Sequence, residues 1–238
     1  ANVGTMSYVD GSFNFGSTPA LRFTPGPDHV VVPDPSGVFV FTNSFTFEAV
    51  VRSTNNVTTQ GAILAKNGTT DGEGEYWWRF PGNATGQQEV AMDGNFLTGT
   101  NVLNDGQWHH VAVVYDATNN LVQLYADYVL EASATVAFTA PIGRPSDLFI
   151  GSFINGGSEL DADIDALRIS SGALTPDQFI PRAVALQPVV SSLLPANGAN
   201  NVAPTALIEA VFQNRDTSVM LDSLKLSVDG IDVTADAV

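Results

Sequence analysis

Short runs of alternating apolar residues constrain the fold of this chain more than any other feature of its sequence. In Ser44–Arg52, for example, Phe45, Phe47, Ala49 and Val51 would share one face of an extended strand. Comparable runs recur along the chain, separated by Gly, Asn, Asp or Pro residues that are typical of turns. They are Val30–Val32, Ala62–Ala65, Tyr76–Phe80, Trp108–Tyr115, Leu121–Ala126, Leu148–Gly151 and Ile164–Ile169. The pattern predicts an all-β protein.

Two short segments predict local structure between or after these strands. Asp116–Asn120 lies between two apolar runs and predicts a hairpin loop. Thr175–Arg182 predicts a single helical turn, because Thr175 can cap it and Pro176 would occupy the first helical position. No long amphipathic helix is expected.

A change of pattern near Ala183–Pro188 predicts a domain boundary, with one domain over residues 1–185 and a second segment over residues 186–238. In the second segment, Leu207–Phe212 and Ser223–Val228 predict strands, and Asp229-Gly230 predicts a tight hairpin. A complete immunoglobulin-like sandwich takes about 100 residues. We therefore expect this segment to form part of such a domain.

The charge balance excludes several classes of partner. The chain has 9 Lys and Arg against 25 Asp and Glu, which gives a formal charge of −16. This argues against nucleic acid and against anionic lipid surfaces, since both require a basic surface. No apolar run approaches the roughly 20 residues of a membrane helix, so no membrane insertion is expected.

The absence of cysteine excludes disulfides, Cys-ligated zinc and a thiol nucleophile. Scarce Lys, with abundant Asn, Thr, Ser and Gly, favours an extracellular protein. The chain opens at Ala1 without a signal sequence, and we interpret it as a mature chain or an excised fragment.

A series of motifs in the first three quarters of the chain carries a family resemblance. They are ALRF (20–23), DHVVVP (28–33), SFTFEAVVR (44–52), ILAKNG (63–68), DGQWHHVAVVYD (105–116), VQLYAD (122–127), LFIGS (148–152) and DIDALRISSGALTPDQF (163–179). In order and spacing they resemble the bacterial laminin-G-like group of concanavalin-A-like jelly rolls. The resemblance has departures: Asp127-Tyr128 stands where the family usually has Asp-Gly, so a different turn is expected there. The tail, from Pro195 to Thr234, resembles bacterial immunoglobulin-like modules.

The resemblance implies an antiparallel jelly-roll β-sandwich that binds glycans or protein surfaces and often holds one structural calcium. It does not imply one activity, because the fold hosts lectins, adhesion modules and glycan hydrolases. We expect a non-catalytic binding or adhesion module of a larger secreted bacterial protein, with a glycan or cell-surface ligand. The alternative is a stalk or filament subunit that self-associates or recruits a partner strand through its incomplete immunoglobulin-like segment.

Carboxylates concentrate in two short stretches. They are Asp71, Glu73 and Glu75 in the first, and Glu159, Asp161, Asp163 and Asp165 in the second. In an extended strand the second set would share one face, with about 6.5–7 Å between successive members. Such a row repels itself unless water, a cation or a bend relieves it.

Asp165 is the acid that most strongly suggests a metal. It has the strand parity of Leu167 and Ile169, which should face the core, whereas Arg168 has the opposite parity. A carboxylate on a half-buried face is costly unless it is paired or bound to a metal. Calcium, which prefers oxygen ligands, would answer this cost.

The predicted calcium ligands are Asp165, Asp163, backbone carbonyls and a carboxylate from the N-terminal segment, Asp28 or Asp10. Alternatively, Asp165 accepts backbone N–H bonds at a bend. The Asp71–Glu75 cluster is interpreted as a solvated loop and a weaker calcium candidate.

Glu159 and Asp163 also invite a catalytic interpretation. Glycan hydrolases of this fold carry a Glu-x-Asp-x-(x)-Glu strand, and retaining chemistry needs two carboxyls about 5–5.5 Å apart. Here Asp163 is shorter than Glu by a methylene, and no aromatic-rich segment surrounds it. Catalysis is therefore not expected.

Tyr76-Trp77-Trp78 is the candidate sugar platform, because aromatic faces stack on the apolar C–H face of a pyranose. Alternation sends Trp77 to one face and its two neighbours to the other, so at least one ring is in the core. An exposed ring would bind glycan, and Arg79 and Glu48 could add hydrogen bonds.

Trp108, His109 and His110 begin a predicted strand. Trp108 and His110 share parity with Ala112 and Val114, which predicts that both face the core. We interpret His110 as a buried, hydrogen-bonded histidine, because adjacent histidines point to opposite faces and cannot easily share a zinc ion.

Overall fold

The computed structural model divides the chain into two compact units, Ala1–Arg182 and Ala183–Val238. It describes residues 2–3, 6–11, 19–54, 60–66, 75–82, 85–138, 141–143, 145–153, 157–181, 189–196, 198–213, 225, 227–228 and 231–232. Among these residues, no helix is long or apolar enough to pass through a lipid bilayer.

The first unit is all-β. Its strands are β1 (Asn2–Val3), β2 (Ser7–Asp10), β3 (Pro19–Phe23), β4 (His29–Val32), β5 (Phe45–Arg52), β6 (Gly61–Lys66), β7 (Tyr76–Phe80), β8 (Glu89–Met92), β9 (Asn95–Thr98), β10 (Trp108–Asp116), β11 (Leu121–Ala126), β12 (Val129–Thr135), β13 (Leu148–Ile150) and β14 (Ala162–Ser171). In the described part of the chain they form two seven-stranded sheets. Sheet A has the order β1-β4-β13-β6-β7-β8-β9, and sheet B has the order β12-β11-β10-β5-β14-β3-β2.

Neighbouring strands in both sheets pair antiparallel, as a jelly roll requires. The predicted all-β jelly-roll class is therefore confirmed. Several short strands, such as β9 and β12, were not predicted, because their exposed polar residues weaken the apolar alternation.

The core lies between the two sheets. Phe45, Phe47, Ala49 and Val51 of β5 are fully buried in it, on the face that alternation predicted. The aromatic rings of the core pack closely, with 4.8 Å between the ring centroids of Phe45 and Phe47. Because burial of such rings is worth about 1.5–3 kcal/mol each, this face fixes the register of β5.

The outer face of sheet B is also buried, which the sequence did not predict. Residues 172–181, here called the strap, run across it, and Phe179 packs with Ala112, Val114 and Tyr125. The prediction that Trp108 and His110 face the core is wrong, because Val111 and Val113 point into the sandwich instead. His110 is nevertheless fully buried, as predicted. Alternation could not choose between the faces of β10, because both are apolar.

The strap contains the predicted helical turn, a 3-10 turn over Pro176–Gln178. Thr175 precedes it and donates its backbone N–H to Gln178 Oε1 at 3.0 Å. The hairpin predicted at Asp116–Asn120 joins β10 to β11, where Asn120 takes a positive φ of 49°.

The turn between β11 and β12 has Tyr128 at the position where the resemblance leads us to expect glycine. Asp127 and Tyr128 have φ of 47° and 70°, so both central residues are left-handed, as a type I′ turn requires. The expected change of turn is therefore not found. Tyr128 is held in this costly conformation by its ring, which stacks on His110 with centroids 4.4 Å apart.

The second unit contains β15 (Val189–Leu194), β16 (Glu209–Gln213), β17 (Ser227–Val228) and β18 (Ile231–Asp232). β15 pairs with β16, and β17 pairs with β18, both antiparallel. β15 was not predicted, because two serines interrupt its apolar residues. The predicted turn Asp229-Gly230 lies outside the described residues.

Candidate functional site

A row of apolar side chains crosses the outer face of sheet A. Trp77 on β7 pairs with Ala65 on β6 and with Ala91 on β8, and these pair in turn with Phe149 on β13 and Phe96 on β9. Residues paired directly across strands share a face of the sheet. The row therefore joins five strands on the side opposite to the core.

Trp77 forms the floor of this row. It is only 6% exposed. The Arg79 guanidinium lies 3.9 Å from the centroid of its ring, and the Phe96 and Phe153 rings lie 5.3 and 5.8 Å away. The expected exposed tryptophan platform is therefore wrong, because Phe96, which is 61% exposed, is the accessible ring.

Tyr76 and Trp78 do not reach this face. Both are fully buried in the core between the sheets, so neither can contact a ligand as the candidate sugar platform required. Trp78 donates its indole N–H to Gln88 Oε1 at 2.9 Å, which satisfies its only polar group. Their role is to fix β7, so that Trp77 and Arg79 point outward.

A second row, parallel to the first, carries polar groups. Arg79 donates to Glu89 Oε1 from Nε at 2.9 Å and from Nη2 at 2.7 Å. Its Nη1 donates to Gln60 Oε1, and Thr98 Oγ1 donates to Glu89 Oε2 at 3.0 Å. Arg79 therefore stacks on Trp77 while its charge is held by Glu89.

The two rows border a cleft of about 460 Å³. It is lined by Gln60, Glu75, Trp77, Arg79, Gly94, Phe96 and Phe153. Small-molecule sites typically occupy about 300–1,000 Å³ and combine apolar walls with a few polar groups. This cleft has that size and that composition.

Phe96, Phe153 and Gln60 were missed by sequence reasoning. Phe96 has a recognisable signal, because Asp93-Gly94 is a strong hairpin dipeptide and both residues have positive φ, 50° and 74°. The hairpin sets the register that places Phe96 opposite Ala91. Phe153 and Gln60 lie outside the strands, and no local pattern marks them.

Glu48 lies on the opposite sheet, so it cannot assist Trp77 as expected. It is fully buried beneath the strap, where Oε1 accepts the Ile180 N–H at 2.6 Å and Oε2 accepts Arg168 Nε at 2.6 Å. His110 Nε2 lies 3.1 Å from Oε1. Burial opposes ionisation, but the bonds from His110, Ile180 and Arg168 outweigh it and hold the pKa of Glu48 below its usual value.

Arginines on neighbouring strands pair with two of the carboxylates predicted to form an acidic row. Asp163 is 3% exposed, and its Oδ2 accepts Arg52 Nε at 2.9 Å and Nη2 at 2.7 Å. Arg22 Nη1 lies 3.2 Å from Asp163 Oδ1, and its Nη2 lies 2.6 Å from Asp161 Oδ1. Both arginines lie on strands that neighbour β14 in sheet B, Arg22 on β3 and Arg52 on β5.

Asp165 lies at a β-bulge. In the pairing of β14 with β5, Ile164 faces Val51 and Ala166 faces Val50, so Asp165 is the extra residue. Ile164 and Leu167 both contact the core, which requires a change of parity between them. The bulge interrupts the alternation on which the argument for a core-facing Asp165 rests, and it supplies the bend of the alternative interpretation.

The other predicted calcium ligands have other surroundings. Asp28 is buried and accepts the Thr24 hydroxyl at 2.5 Å, and Asp10 is exposed on β2. Within the described ranges, no cluster of three or more acidic or histidine side chains is positioned to hold a metal. Asp71 and Glu73 lie outside the described residues, and Glu75 lines the cleft.

Comparisons with known proteins support the fold. A family model described as the concanavalin A-like lectin/glucanases superfamily matches residues 24–179, and the chain belongs to this laminin G-like family. No curated protein matches the chain.

Several solved structures share the architecture at low sequence identity. A proposed carbohydrate-binding protein from Bacteroides ovatus has a TM-score of 0.55 at 21% identity, over 90% of this chain and 55% of its own. The receptor-binding domain of botulinum neurotoxin D has a TM-score of 0.52 at 12% identity, over 72% of this chain and 46% of its own. Domains LG4-5 of the mouse laminin alpha1 chain have a TM-score of 0.51 at 15% identity, over 80% of this chain and 54% of their own. The chain spans about half the length of these structures.

Proposed function

We propose that this chain is a non-catalytic carbohydrate-binding module that takes a sugar in the cleft on the outer face of sheet A. The observation that carries the proposal is the exposed Phe96 ring beside Phe153, above a floor of Trp77 and Arg79. A pyranose presents an apolar C–H face to such a ring and hydroxyl groups to polar neighbours. Gln60, Glu75 and Arg79 supply those neighbours.

The fold comparisons are in accord with a binding role, because the relatives named above include carbohydrate-binding and receptor-binding domains. We place the module outside the cell, as part of a larger exported bacterial protein with an immunoglobulin-like second unit. The family and the composition support this placement.

A glycan array with the intact chain tests the proposal. We expect Phe96→Ala to reduce binding about five-fold or more, because a nucleobase stacked on an aromatic ring contributes about 1–3 kcal/mol and a pyranose would stack on Phe96 in the same manner. Tyr8→Ala is the matched control, since Tyr8 is an exposed aromatic, 70% accessible, on β2 of sheet B. Equal loss in both variants, or no binding to any glycan by the wild type, would refute the proposal.

Calcium remains a prediction from the sequence and the resemblance, centred on Asp165, with Asp28, Asp10 and Asp163 as its further predicted ligands. Its test is glycan binding, and thermal unfolding, with added calcium and with chelator. Unchanged results under both conditions would remove calcium from the proposal.

A catalytic role for Glu159 and Asp163 has weaker support. Asp163 is buried and held by two arginines, so its carboxylate is not accessible to a glycan. We expect the chain to release no reducing sugar from the glycans that it binds.

A structural role rests on the second unit. β15 and β16 expose apolar side chains, among them Leu193, Leu194, Val211 and Phe212. A two-stranded sheet is marginally stable alone, so such a surface favours additional strands. Sedimentation of the intact chain tests this alternative, because a strict monomer at all concentrations would argue against self-association.

A further inference from the structure

We infer that the cleft selects uncharged sugars and discriminates against sialylated or sulfated ones. This inference rests on the proposed function, since it names the class of carbohydrate that the same cleft takes. It follows from the hydrogen bonds that Arg79 already donates to Glu89 and Gln60.

Arg79 is the only cationic side chain that lines the cleft among the described residues. Recognition of a sugar carboxylate or sulfate by arginine is strongest when two parallel N–H groups donate to it, as in a bidentate pair. In this structure Nε and Nη2 both donate to Glu89, and Nη1 donates to Gln60. Glu89 thus occupies one of the two forked edges of the guanidinium, and Gln60 accepts one N–H of Nη1.

Glu89 also opposes an anion directly. Its carboxylate lies 2.7 Å from Arg79 and is nearly as buried as Arg79, with side-chain exposures of 14% and 12%. Glu75 adds a second carboxyl group to the lining of the cleft. An anionic sugar bound to Arg79 would therefore lie beside two carboxyl groups.

The other described cations that form ion pairs cannot compensate. They lie elsewhere in the fold and are held by carboxylates: Arg22 and Arg52 by Asp161 and Asp163, Lys66 by Asp34, and Arg168 by Glu48. The net charge of −16 adds a repulsive background, but charges beyond about 8 Å are largely screened in physiological salt. The local pair of Arg79 and Glu89 therefore decides the selectivity.

The polar groups suit an uncharged ligand. Gln60 accepts from Arg79 and from Ser158 through Oε1, so its carboxamide is oriented with Oε1 toward Arg79. Its NH₂ group supplies donors for sugar hydroxyls, while Glu75 supplies acceptors. Phe96 and Phe153 supply the apolar contact, which carries no charge preference.

The test compares matched oligosaccharides on one array, namely lactose and N-acetyllactosamine against their sialylated and sulfated forms. We expect the intact chain to bind the uncharged members at least ten-fold more tightly. Glu89→Gln frees the Arg79 fork and should narrow this ratio several-fold. Asp177→Asn is the matched control, since it removes the same charge from the exposed 3-10 turn of the strap and should leave the ratio unchanged.

The possible outcomes distinguish the selectivity for uncharged sugars from carbohydrate binding in the cleft itself. Binding of anionic forms as tight as that of uncharged forms, and lost in Phe96→Ala, would overturn the selectivity while leaving the cleft in place. No binding to any member of the array would overturn the proposed function and the selectivity with it. An equal change of the ratio in Glu89→Gln and Asp177→Asn would show that overall charge, and not the local pair, controls binding.

Discussion

Asp163 and Arg52 face each other directly across β14 and β5, with Arg52 Nη2 2.7 Å from Asp163 Oδ2. Arg22 on β3 closes the pair from the other side, and the Arg52 guanidinium also lies 4.6 Å from the ring centroid of Trp108. Four strands of sheet B are thus joined by one line of charged and aromatic groups.

We expect Asp163→Asn to destabilise the first unit by about 2 kcal/mol. Loss of one partner from a buried ion pair costs about 3–5 kcal/mol, and the value here is lower because Arg22 and Arg52 are partly exposed and can be rehydrated. Chemical unfolding followed by tryptophan fluorescence measures it, since Trp77, Trp78 and Trp108 all lie in this unit. An unchanged midpoint would show that the arginines do not depend on Asp163.

The pair of Lys66 and Asp34 predicts a larger effect. Lys66 Nζ lies 2.8 Å from Asp34 Oδ2 and both side chains are buried, while Asp34 also accepts the Val38 and Phe39 N–H groups at 2.7 and 3.0 Å. Lys66→Met would leave Asp34 charged and buried, at a cost of about 3–5 kcal/mol. The double variant Lys66→Met with Asp34→Leu should recover part of this loss. Recovery of nothing in the double variant would contradict the ion-pair explanation.

His109 predicts a pH dependence of stability. Its Nδ1 lies 2.9 Å from Asp127 Oδ2 and its Nε2 lies 3.0 Å from Asp105 Oδ1. The bond to Asp127, aided by Asp105 and opposed by burial, raises the pKa of His109 above its ordinary value. The stabilisation is therefore complete below about pH 6.5 and is lost as the pH rises through the folded-state pKa.

We expect the free energy of unfolding of the wild type to fall relative to that of His109→Gln between pH 6 and pH 9. Urea unfolding at several pH values measures the difference. A parallel pH dependence of the two proteins would assign the effect to other groups.

The contacts of Tyr128 with Ile180 and His110 are expected to limit amide exchange in the strap. Its hydroxyl donates to Ile180 O at 2.9 Å, and its ring stacks on His110. Tyr128→Phe keeps the ring and should cost about 1 kcal/mol, the value of one hydrogen bond. Tyr128→Gly relieves the positive φ but removes both contacts, so amide exchange in residues 172–181 should be faster than in Tyr128→Phe. Slower exchange in the glycine variant would mean that the turn, and not the ring, limits the strap.

The strands could be predicted from sequence where one face is apolar. Phe45–Val51 alternates cleanly, and its inward face was predicted correctly. The faces of β10 were assigned wrongly, because His110, Ala112 and Val114 are buried by the strap, which is remote in sequence. Burial by a distant segment leaves no local signal.

The surroundings of Asp161, Asp163 and Asp165 also depend on segments that are distant in sequence. Alternation correctly placed Asp161 and Asp163 on one face, and the need to relieve their repulsion was correctly recognised. The relief comes from Arg22, which is 141 residues from Asp163 in the chain, and from Arg52. A β-bulge at Asp165 then shifts the parity, so that Ile164 and Leu167 both contact the core although they are three residues apart.

The cleft could be predicted in part. Trp77 was correctly predicted to lie on the face of β7 opposite to Tyr76 and Trp78. The position of Arg79 over Trp77 could not be predicted, because it depends on contacts with Glu89 and Gln60. These two residues hold the guanidinium over the indole. The accessible ring therefore belongs to another strand.

The strap makes the two outer faces of the sandwich different, because it covers sheet B. Hydrogen bonds attach residues 172–181 to the outer side of sheet B. Glu48 accepts the Ile180 N–H, and the Tyr128 hydroxyl donates to Ile180 O. Thr46 Oγ1 donates to Gly172 O and accepts the Leu174 N–H. A molecule that approaches from that direction meets the protein's own polypeptide instead of the sheet. In the proposed function a sugar enters from the side of Phe96, so tethering the unit to a larger protein would fix the direction in which the cleft opens.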